Sequence, residues 1–229
     1  MTIKTVPKEV IYFFEKSNEP WGIKDKESRY VYANKAYFDF LDVPIEKRKK
    51  IHLKSYDFIP SLQPLIKGLV SHDQEVMNTG ERYEAVGTLL INGNYRTFLF
   101  EKWPRFSSTG EISGTIFHLK PFEQISMSYF IDKPFYGKAT YSPPTEIFSP
   151  REWDILFLLF RRIEKRQISK ILNLRETSVR NLISRLFLRT GTSGREELLN
   201  CGFREGWHLY IPPRFAEIGY DLISDKANK

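Results

Sequence analysis

A set of polar side chains repeats at helical spacing in the C-terminal half of the chain. Its members are Thr177, Arg180, Asn181, Ser184 and Arg185. At 3.6 residues per turn these positions share one helix face, while Val179, Ile183 and Leu186 share the opposite, apolar face. Arginine binds guanine edges in the major groove of DNA and asparagine binds adenine edges, each pair giving roughly 1–3 kcal/mol of discrimination. The spacing therefore predicts a helix face that reads DNA bases.

Basic residues flank this face, and we assign four of them to DNA phosphates. They are Lys165, Arg166, Lys170 and Arg189. Phosphate contacts orient a protein on DNA without reading its sequence. The window 161–195 holds ten Lys and Arg residues against two Asp and Glu, in a chain whose formal net charge is +7. Most charge runs are solvated faces, but this one coincides with a helix that fits a groove, so the charge favours double-stranded DNA as a partner.

Three helix starts carry the pattern of a capping box, in which a short polar side chain caps the first turn and a Glu three residues later reaches back. The pairs are Ser149/Glu152, Asn173/Glu176 and Ser193/Glu196. Apolar residues follow each cap at helical spacing, which predicts four short helices around one small core. Only about three residues separate the second helix from the third, as expected of a helix-turn-helix.

The residues of this region resemble the LuxR-type helix-turn-helix of bacterial transcription regulators. The resemblance spans about residues 148–200 and rests on FSPREWDIL (148–156), RQISKILNL (166–174) and ETSVR (176–180). Arg162, Glu164, Gln167 and Leu182 depart from the usual family residues. The resemblance implies binding to promoter DNA. Helix-turn-helix proteins generally bind as two copies across a near-palindromic site, so a homodimer is expected.

The N-terminal half has a different pattern, in which short strands surround a helical middle. The pattern predicts strands at 21–25 and 29–33, a helix after Asn34, short helices between 56 and 78, and antiparallel strands at 82–91, 95–104 and 112–120. The dipeptide Asn92-Gly93 is a strong hairpin signal between two of these strands.

This order of elements resembles the PAS fold, a sensory module, over about residues 5–121. The resemblance rests on Asp25, Asn34-Lys35-Ala36, HDQEV (72–76) with Thr79-Gly80, and GEISG (110–114). The fold implies a small cavity between sheet and helices or a dimerisation surface, and it does not name a ligand.

Eight aromatic residues are candidates for lining such a cavity. They are Trp21, Tyr32, Tyr37, Phe40, Phe98, Phe100, Trp103 and Phe117. A filled aromatic core is the alternative, and the identity of any cofactor stays unknown. Light-sensing PAS domains that use flavin need a cysteine beside the ring, and Cys201, the one cysteine, lies outside this region. A haem would need a helix histidine, for which His52 and His72 are the candidates.

Two segments lie outside these patterns. Residues 122–147 lose periodicity and collect proline and glycine, so we interpret them as a linker, whose aromatics predict packing against a domain. In the extension 203–229, residues 207–211 resemble a short strand. Phe215, Ile218, Leu222 and Ile223 then repeat at helical spacing, which predicts an amphipathic helix packed on its own chain or on a second subunit.

Together these observations predict an α+β protein with four segments. They are a PAS-like domain of antiparallel sheet and helices at 1–121, a linker at 122–147, an all-α four-helix LuxR-type helix-turn-helix domain at 148–202, and an extension at 203–229. The predicted function is a transcription regulator. Its PAS-like domain senses a small ligand or dimerises, and its helix-turn-helix reads promoter DNA. The PAS-like domain and the fourth helix, 193–200, are the expected dimer contacts.

The alternative is an interaction adaptor whose helix-turn-helix binds a protein partner. An enzyme is not expected, because catalytic triads, phosphate-binding loops and metal-ligand spacings are missing from the sequence. No apolar run approaches the roughly 18 residues of a membrane span, and the first ten residues lack the apolar core of a signal peptide. A cytoplasmic protein without membrane contact is therefore expected.

Overall fold

The computed structural model describes residues 6–121, 123–125 and 136–223. The chain forms two compact units, Met1–Phe122 together with Ile218–Lys229, and Glu123–Glu217. We call the first the sheet unit and the second the helical unit. The predicted extension 203–229 is thus divided between the two units, and the sheet unit contains a segment that follows the helical unit in the chain.

The sheet unit begins with a helix that the sequence pattern did not predict, α1 (Lys8–Lys16). The next elements follow the predicted order: strands β1 (Trp21–Lys24) and β2 (Tyr30–Ala33), helices α2 (Lys35–Phe40) and α3 (Ile45–Arg48), 3-10 turns at Tyr56–Phe58 and Pro60–Leu65, helix α4 (Ile66–Thr79), and strands β3 (Tyr83–Ile91), β4 (Asn94–Phe106) and β5 (Ile112–Pro121). The five strands are antiparallel, in the order β2-β1-β5-β4-β3.

Local sequence explains where several of these elements begin and turn. The side-chain oxygen of Asn34 accepts N–H bonds of 3.0 Å from Tyr37 and Trp21, which caps α2 and ties it to β1. Asn92 and Gly93 adopt φ values of 49° and 77°, the two left-handed conformations that a tight hairpin turn requires. The hairpin prediction is therefore confirmed.

The two faces of the sheet carry separate cores. The inner face packs against α2, the 3-10 turns and α4 through a large cluster that includes Phe98, Phe100 and Phe117. The outer face packs against α1 through a smaller cluster that includes Phe14 and Ile23. Phe98 and Phe100 of β4, two residues apart, both belong to the inner core, whereas Trp103 of the same strand stacks on Trp21 at the outer face.

The helical unit begins within the predicted linker. Strand β6 (Glu123–Ile125) pairs antiparallel with β7 (Tyr136–Lys138). The segment 126–135, with the aromatics Tyr129, Phe130 and Phe135, lies outside the described residues. Helices α5 (Pro150–Phe160), α6 (Lys165–Leu172), α7 (Glu176–Thr190) and α8 (Arg195–Arg204) follow and share one core. The four-helix prediction is confirmed, and three residues, 173–175, separate α6 from α7.

The capping predictions succeed at one helix and fail at two. Ser149 and Glu152 form the predicted capping box of α5. Asn173 instead ends α6 in a left-handed conformation, φ 50°, so the residue before α7 is Arg175. The residue before α8 is Gly194, because the Ser193 N–H and hydroxyl both donate to Glu197 rather than pairing with Glu196. Asparagine favours both helix starts and left-handed helix ends, which explains the shift at α7.

The end of the described chain corrects the prediction of an amphipathic helix. After 3-10 turns at Trp207–Leu209, in the segment expected to resemble a strand, and at Pro213–Phe215, strand β8 (Gly219–Ile223) pairs antiparallel with β3 as the sixth strand of the sheet. The apolar spacing of Ile218 and Leu222 fits a strand as well as a helix. Pairing prevails because it satisfies the backbone groups along the β3 edge.

Candidate DNA interface and sensory core

The predicted base-reading residues lie together on one surface. Helix α7 has 15 residues, and its buried side comprises Val179, Leu182, Ile183 and Leu186. The opposite side is exposed and carries all five predicted residues, Thr177, Arg180, Asn181, Ser184 and Arg185. This surface, which we call the α7 face, presents two guanidinium groups, one amide and two hydroxyls. These are the donors and acceptors that can bond to base edges in a major groove.

The residues predicted to bind phosphates lie on both helices of the helix-turn-helix. Lys165, Arg166 and Lys170 are exposed on α6, and Arg189 is exposed near the end of α7. Arg175, which the sequence prediction left out, is exposed in the connection between the two helices. The start of α7 therefore lies next to cationic groups, as expected for a helix that enters a groove between phosphate backbones.

A buried carboxylate positions two arginines of α7. Glu152 is 1% exposed and accepts bonds of 2.8 Å from the N–H and hydroxyl of Ser149. Its other oxygen, Oε1, lies 3.3 Å from Arg189 Nε and 3.9 Å from Arg185 Nε. Burial opposes ionisation of Glu152, but the Ser149 bonds and the two arginines outweigh it and lower its pKa. Glu152 thus serves both as a helix cap and as a counter-ion for α7, and the capping pattern predicted only the first role.

The inner core of the sheet unit contains a buried ionic cluster that sequence reasoning missed. Lys102 and Asp73 are both 0% exposed, and Lys102 Nζ donates to Asp73 Oδ1 at 2.7 Å and to the carbonyl of Leu69 at 2.7 Å. Tyr56 and Thr115 donate their hydroxyl protons to Asp73 at 2.7 and 3.0 Å. Burial would raise the pKa of Asp73, but the charges of Lys102 and Lys24 and the bonds from Lys102 and Tyr56 hold it below its ordinary value.

A second buried lysine faces the same carboxylate without an ion pair of its own. Lys24 Nζ donates to the carbonyl of Ser28 at 3.0 Å and lies 3.2 and 3.3 Å from the ring centres of Tyr30 and Tyr56. Burial lowers the pKa of Lys24 well below its usual range, against the attraction of Asp73. Two amines therefore share one carboxylate, in a core that also holds the hydroxyls of Tyr30 and Tyr37, 2.5 Å apart.

The eight aromatics proposed as a ligand pocket divide between the two faces of the sheet. Five belong to the inner core: Tyr37, Phe40, Phe98, Phe100 and Phe117. The other three, Trp21, Tyr32 and Trp103, lie on the outer face, where Trp21 stacks on Phe14 of α1 and on Trp103. The structure thus places five of the eight in one core, with the ring centre of Phe100 5.2 Å from Lys102 Nζ, and three on the other face of the sheet.

The sheet unit also has a cavity of about 410 Å³ at the end next to the β3–β4 hairpin. It is lined by residues of the α2–α3 connection, the 3-10 turns and the hairpin, among them Val43, Ile59 and Ile91. None of the eight proposed aromatics and none of the ionic cluster lines it.

Neither candidate haem histidine is a free ligand in the structure. His52 Nδ1 lies 3.2 Å from the carbonyl oxygen of Val31. His72 is buried on α4, and its Nδ1 lies 2.6 Å from the hydroxyl of Tyr220 in β8. Burial and the charge of Lys102 lower the pKa of His72 to about 3, so its ring is neutral. Across residues 6–121, 123–125 and 136–223, no group of three or more His, Cys, Asp or Glu side chains is arranged to hold a metal ion.

Residues 14–121 match the family model of the PAS fold. The whole chain is similar to the Vibrio cholerae VqmA–ligand–DNA complex, with 21% identity, a TM-score of 0.77, and coverage of 97% of this chain and 99% of that one. It is also similar to the phage VqmA–DPO complex, with 21% identity, a TM-score of 0.65 and 95% coverage of both chains. No curated protein matches the chain.

These matches confirm the α+β fold, in which a PAS sheet with helices precedes a helical region. Among the described residues, no helix combines the length and the apolar composition that a membrane crossing requires.

Proposed function

We propose that the chain is a ligand-responsive transcription regulator that acts in the cytoplasm as a homodimer. The observation that carries the proposal is the α7 face, where five groove-compatible side chains stand exposed on one helix of a strongly basic helix-turn-helix. The likeness over nearly the full chain to a protein solved with both ligand and DNA supports the pairing of a sensor with a DNA reader.

In this function Arg180 and Asn181 read base edges at the centre of the α7 face, with Thr177, Ser184 and Arg185 on either side. Lys165, Arg166, Lys170 and Arg189 bind phosphates. Glu152 holds the Arg185 and Arg189 side chains toward one edge of α7, so these two arginines lose less side-chain freedom on binding.

The ligand site we propose is the inner core around Lys24, Asp73 and Lys102. The two amines and the tyrosine hydroxyls supply hydrogen bonds, and Phe100 and Phe117 supply aromatic surface. This combination suits a small molecule with a flat ring and hydrogen-bond acceptors. The cluster carries two lysines for one carboxylate, so an acceptor on the ligand would add a second hydrogen-bond acceptor for Lys24 beside the Ser28 carbonyl.

No catalytic role is proposed, because the polar groups of both sites are explained by binding. The interaction-adaptor alternative is not favoured. An adaptor surface would be expected to be rich in aromatic residues, whereas the α7 face is cationic and polar.

The test has two parts, both on the full-length protein. Selection from a random duplex library should yield a near-palindromic sequence, with two half-sites about one helical turn apart. Denaturation of the purified protein followed by mass spectrometry should release a small molecule from wild type and less of it from Lys102→Met. Arg204→Ala, which removes an exposed arginine outside α7, should select the same sequence as wild type. Recovery of unrelated sequences from wild type would contradict the proposal.

A further inference from the structure

Strand β8 joins the end of the helical unit to the sensory sheet. Its five residues pair with Glu84–Thr88 of β3 in continuous register, from Gly219 opposite Thr88 to Ile223 opposite Glu84. Only three residues separate it from the 3-10 turn Pro213–Phe215 of the helical unit. The helical unit is therefore attached to the sheet unit at both of its ends, by a covalent connection at residue 122 and by a short connection to a paired strand at residue 218.

Tyr220 is partly buried and packs against the inner core. Its ring centre lies 5.8 Å from that of Phe100 and 5.9 Å from that of His72. Two glycines make room for it: a Cβ at Gly68 would lie 2.8 Å from Tyr220 Cδ1, and one at Gly87 would lie 3.1 Å from Cδ2. A larger residue at Gly68 would force the Tyr220 ring to move, whereas one at Gly87 would meet Phe98 first, at 2.5 Å.

The hydroxyl of Tyr220 adds a hydrogen bond to this packing. The Tyr220 hydroxyl and His72 Nδ1 form a hydrogen bond of 2.6 Å. Burial raises the pKa of Tyr220 well above its usual value and lowers the pKa of His72 to about 3, so the bond joins two neutral groups. This bond is costly to break, because the fully buried ring of His72 then loses a partner in a site away from water.

Helix α4, whose His72 is hydrogen-bonded to Tyr220, also carries residues of the ionic cluster. His72 is followed by Asp73, and the carbonyl of Leu69, one turn earlier on α4, accepts a bond from Lys102. A ligand that changes how Lys102 bonds to Asp73 or Leu69 would therefore act on α4, the helix that carries the hydrogen-bond partner of Tyr220.

We propose that β8 is a latch through which the sensory core controls DNA binding, an inference that rests on the proposed function. When Tyr220 packs against the inner core and β8 pairs with β3, both ends of the helical unit are attached to the sheet unit. The helical unit then loses less conformational freedom when it binds DNA. When the core releases Tyr220, the helical unit is held at one end and binds DNA more weakly. Because coupling between two sites is reciprocal, DNA binding must favour the paired strand to the same extent.

The first arm of the test measures DNA affinity by fluorescence anisotropy. The probe is a mixed-sequence duplex of about 20 base pairs, long enough for two half-sites. Tyr220→Ala and a chain ending at Glu217 should each weaken binding by about fivefold, the lower end of typical couplings between sites. Tyr220→Phe keeps the ring and should have a smaller effect in the same direction. Asp221→Ala, an exposed change in the same strand, should match wild type.

The second arm measures amide hydrogen exchange in wild type and in Tyr220→Phe, which preserves the packing of the ring. Duplex DNA should protect α7 in both proteins. In wild type it should also slow exchange in 219–223 and in α4, although neither belongs to the helical unit. In Tyr220→Phe this distant protection should shrink while the protection of α7 remains.

The outcomes separate the two proposals. Protection of α7 with no change in 219–223 or α4 would overturn the latch and leave the proposed function intact. Equal DNA affinity of wild type and the chain ending at Glu217 would do the same. A duplex that protects no part of α7 would overturn the proposed function and, with it, the coupling to DNA.

Discussion

The two units place lysine and arginine in opposite environments. In the helical unit the basic side chains of α6 and α7 are exposed, and their charges act outward on a polyanion. In the sheet unit Lys24 and Lys102 are fully buried, and their charges act on one another, on Asp73 and on anything that enters the core. A charge on the surface costs little free energy, whereas a charge in the core needs partners that offset the loss of its hydration.

The largest expected effect is a loss of stability when the buried carboxylate is removed. Asp73→Ala leaves two buried amines without a carboxylate, so we expect the sheet unit to lose about 3–5 kcal/mol of its free energy of unfolding. The matched exposed change, Glu176→Ala at the start of α7, should alter stability by less than about 0.5 kcal/mol. Urea unfolding followed by tryptophan fluorescence measures both. Similar stability of the two variants would show that Asp73 is not the counter-ion of the core.

The next largest effect is a loss of base discrimination when a side chain of the α7 face is removed. Arg180→Ala or Asn181→Ala should remove about 1–3 kcal/mol of discrimination between the selected duplex and single-base variants of it, because one base contact is lost. Unfolding free energy should stay within about 0.5 kcal/mol of wild type. Competition binding against a panel of single-base variants gives the discrimination directly. An equal loss of affinity for every duplex of the panel would indicate that both residues bind phosphates and do not read bases.

A pH titration sharpens the contrast between the two kinds of lysine. The pKa of Lys24 is lowered in the folded state, so between that pKa and about 10.4 the unfolded chain binds more protons than the folded one. Stability should therefore rise with pH over this window, by at most about 1.4 kcal/mol per pH unit. Lys24→Met should flatten the rise, and Lys165→Met, an exposed control, should not. An unchanged slope in Lys24→Met would mean that the buried amine stays charged.

The smallest effect separates phosphate binding from base reading. Lys170→Ala should weaken all duplexes about equally and reduce the slope of log K against log salt by about one phosphate contact. Arg189 donates to the carbonyl of Ile147 at 2.9 Å and lies near Glu152, so Arg189→Ala should also lower the stability of the helical unit. Binding at several salt concentrations, together with thermal unfolding, distinguishes the two residues. A change in base preference for Lys170→Ala would contradict its role.

Sequence patterns predicted the exposed face well and the buried cluster not at all. Helical periodicity alone separates Arg180 and Asn181 from Val179 and Ile183, because only the local helix decides which side each residue takes. Lys102 was missed because a charged residue is assumed to be exposed unless its partner is known, and Asp73 lies 29 residues away in sequence. Its strand position, in phase with Phe98 and Phe100, was the one available signal that it points inward.

The errors in secondary structure have the same origin in long-range contacts. Strand β8 was predicted as a helix because the spacing of its apolar residues fits both periods, and the β3 edge that selects the strand is more than 100 residues away in sequence. The start of α7 was misplaced because asparagine suits either end of a helix. Helix α1 was missed although its apolar residues cover the outer face of the sheet.

The most direct test of sequence-specific reading by the α7 face is one affinity ratio. The full-length protein is titrated with the duplex recovered by selection and with a scrambled duplex of the same composition, at one fixed salt concentration. The account predicts that the selected duplex binds at least about 1000-fold more tightly, as specific DNA-binding proteins do. Equal affinity for the two duplexes, with binding that depends only on salt, would contradict it.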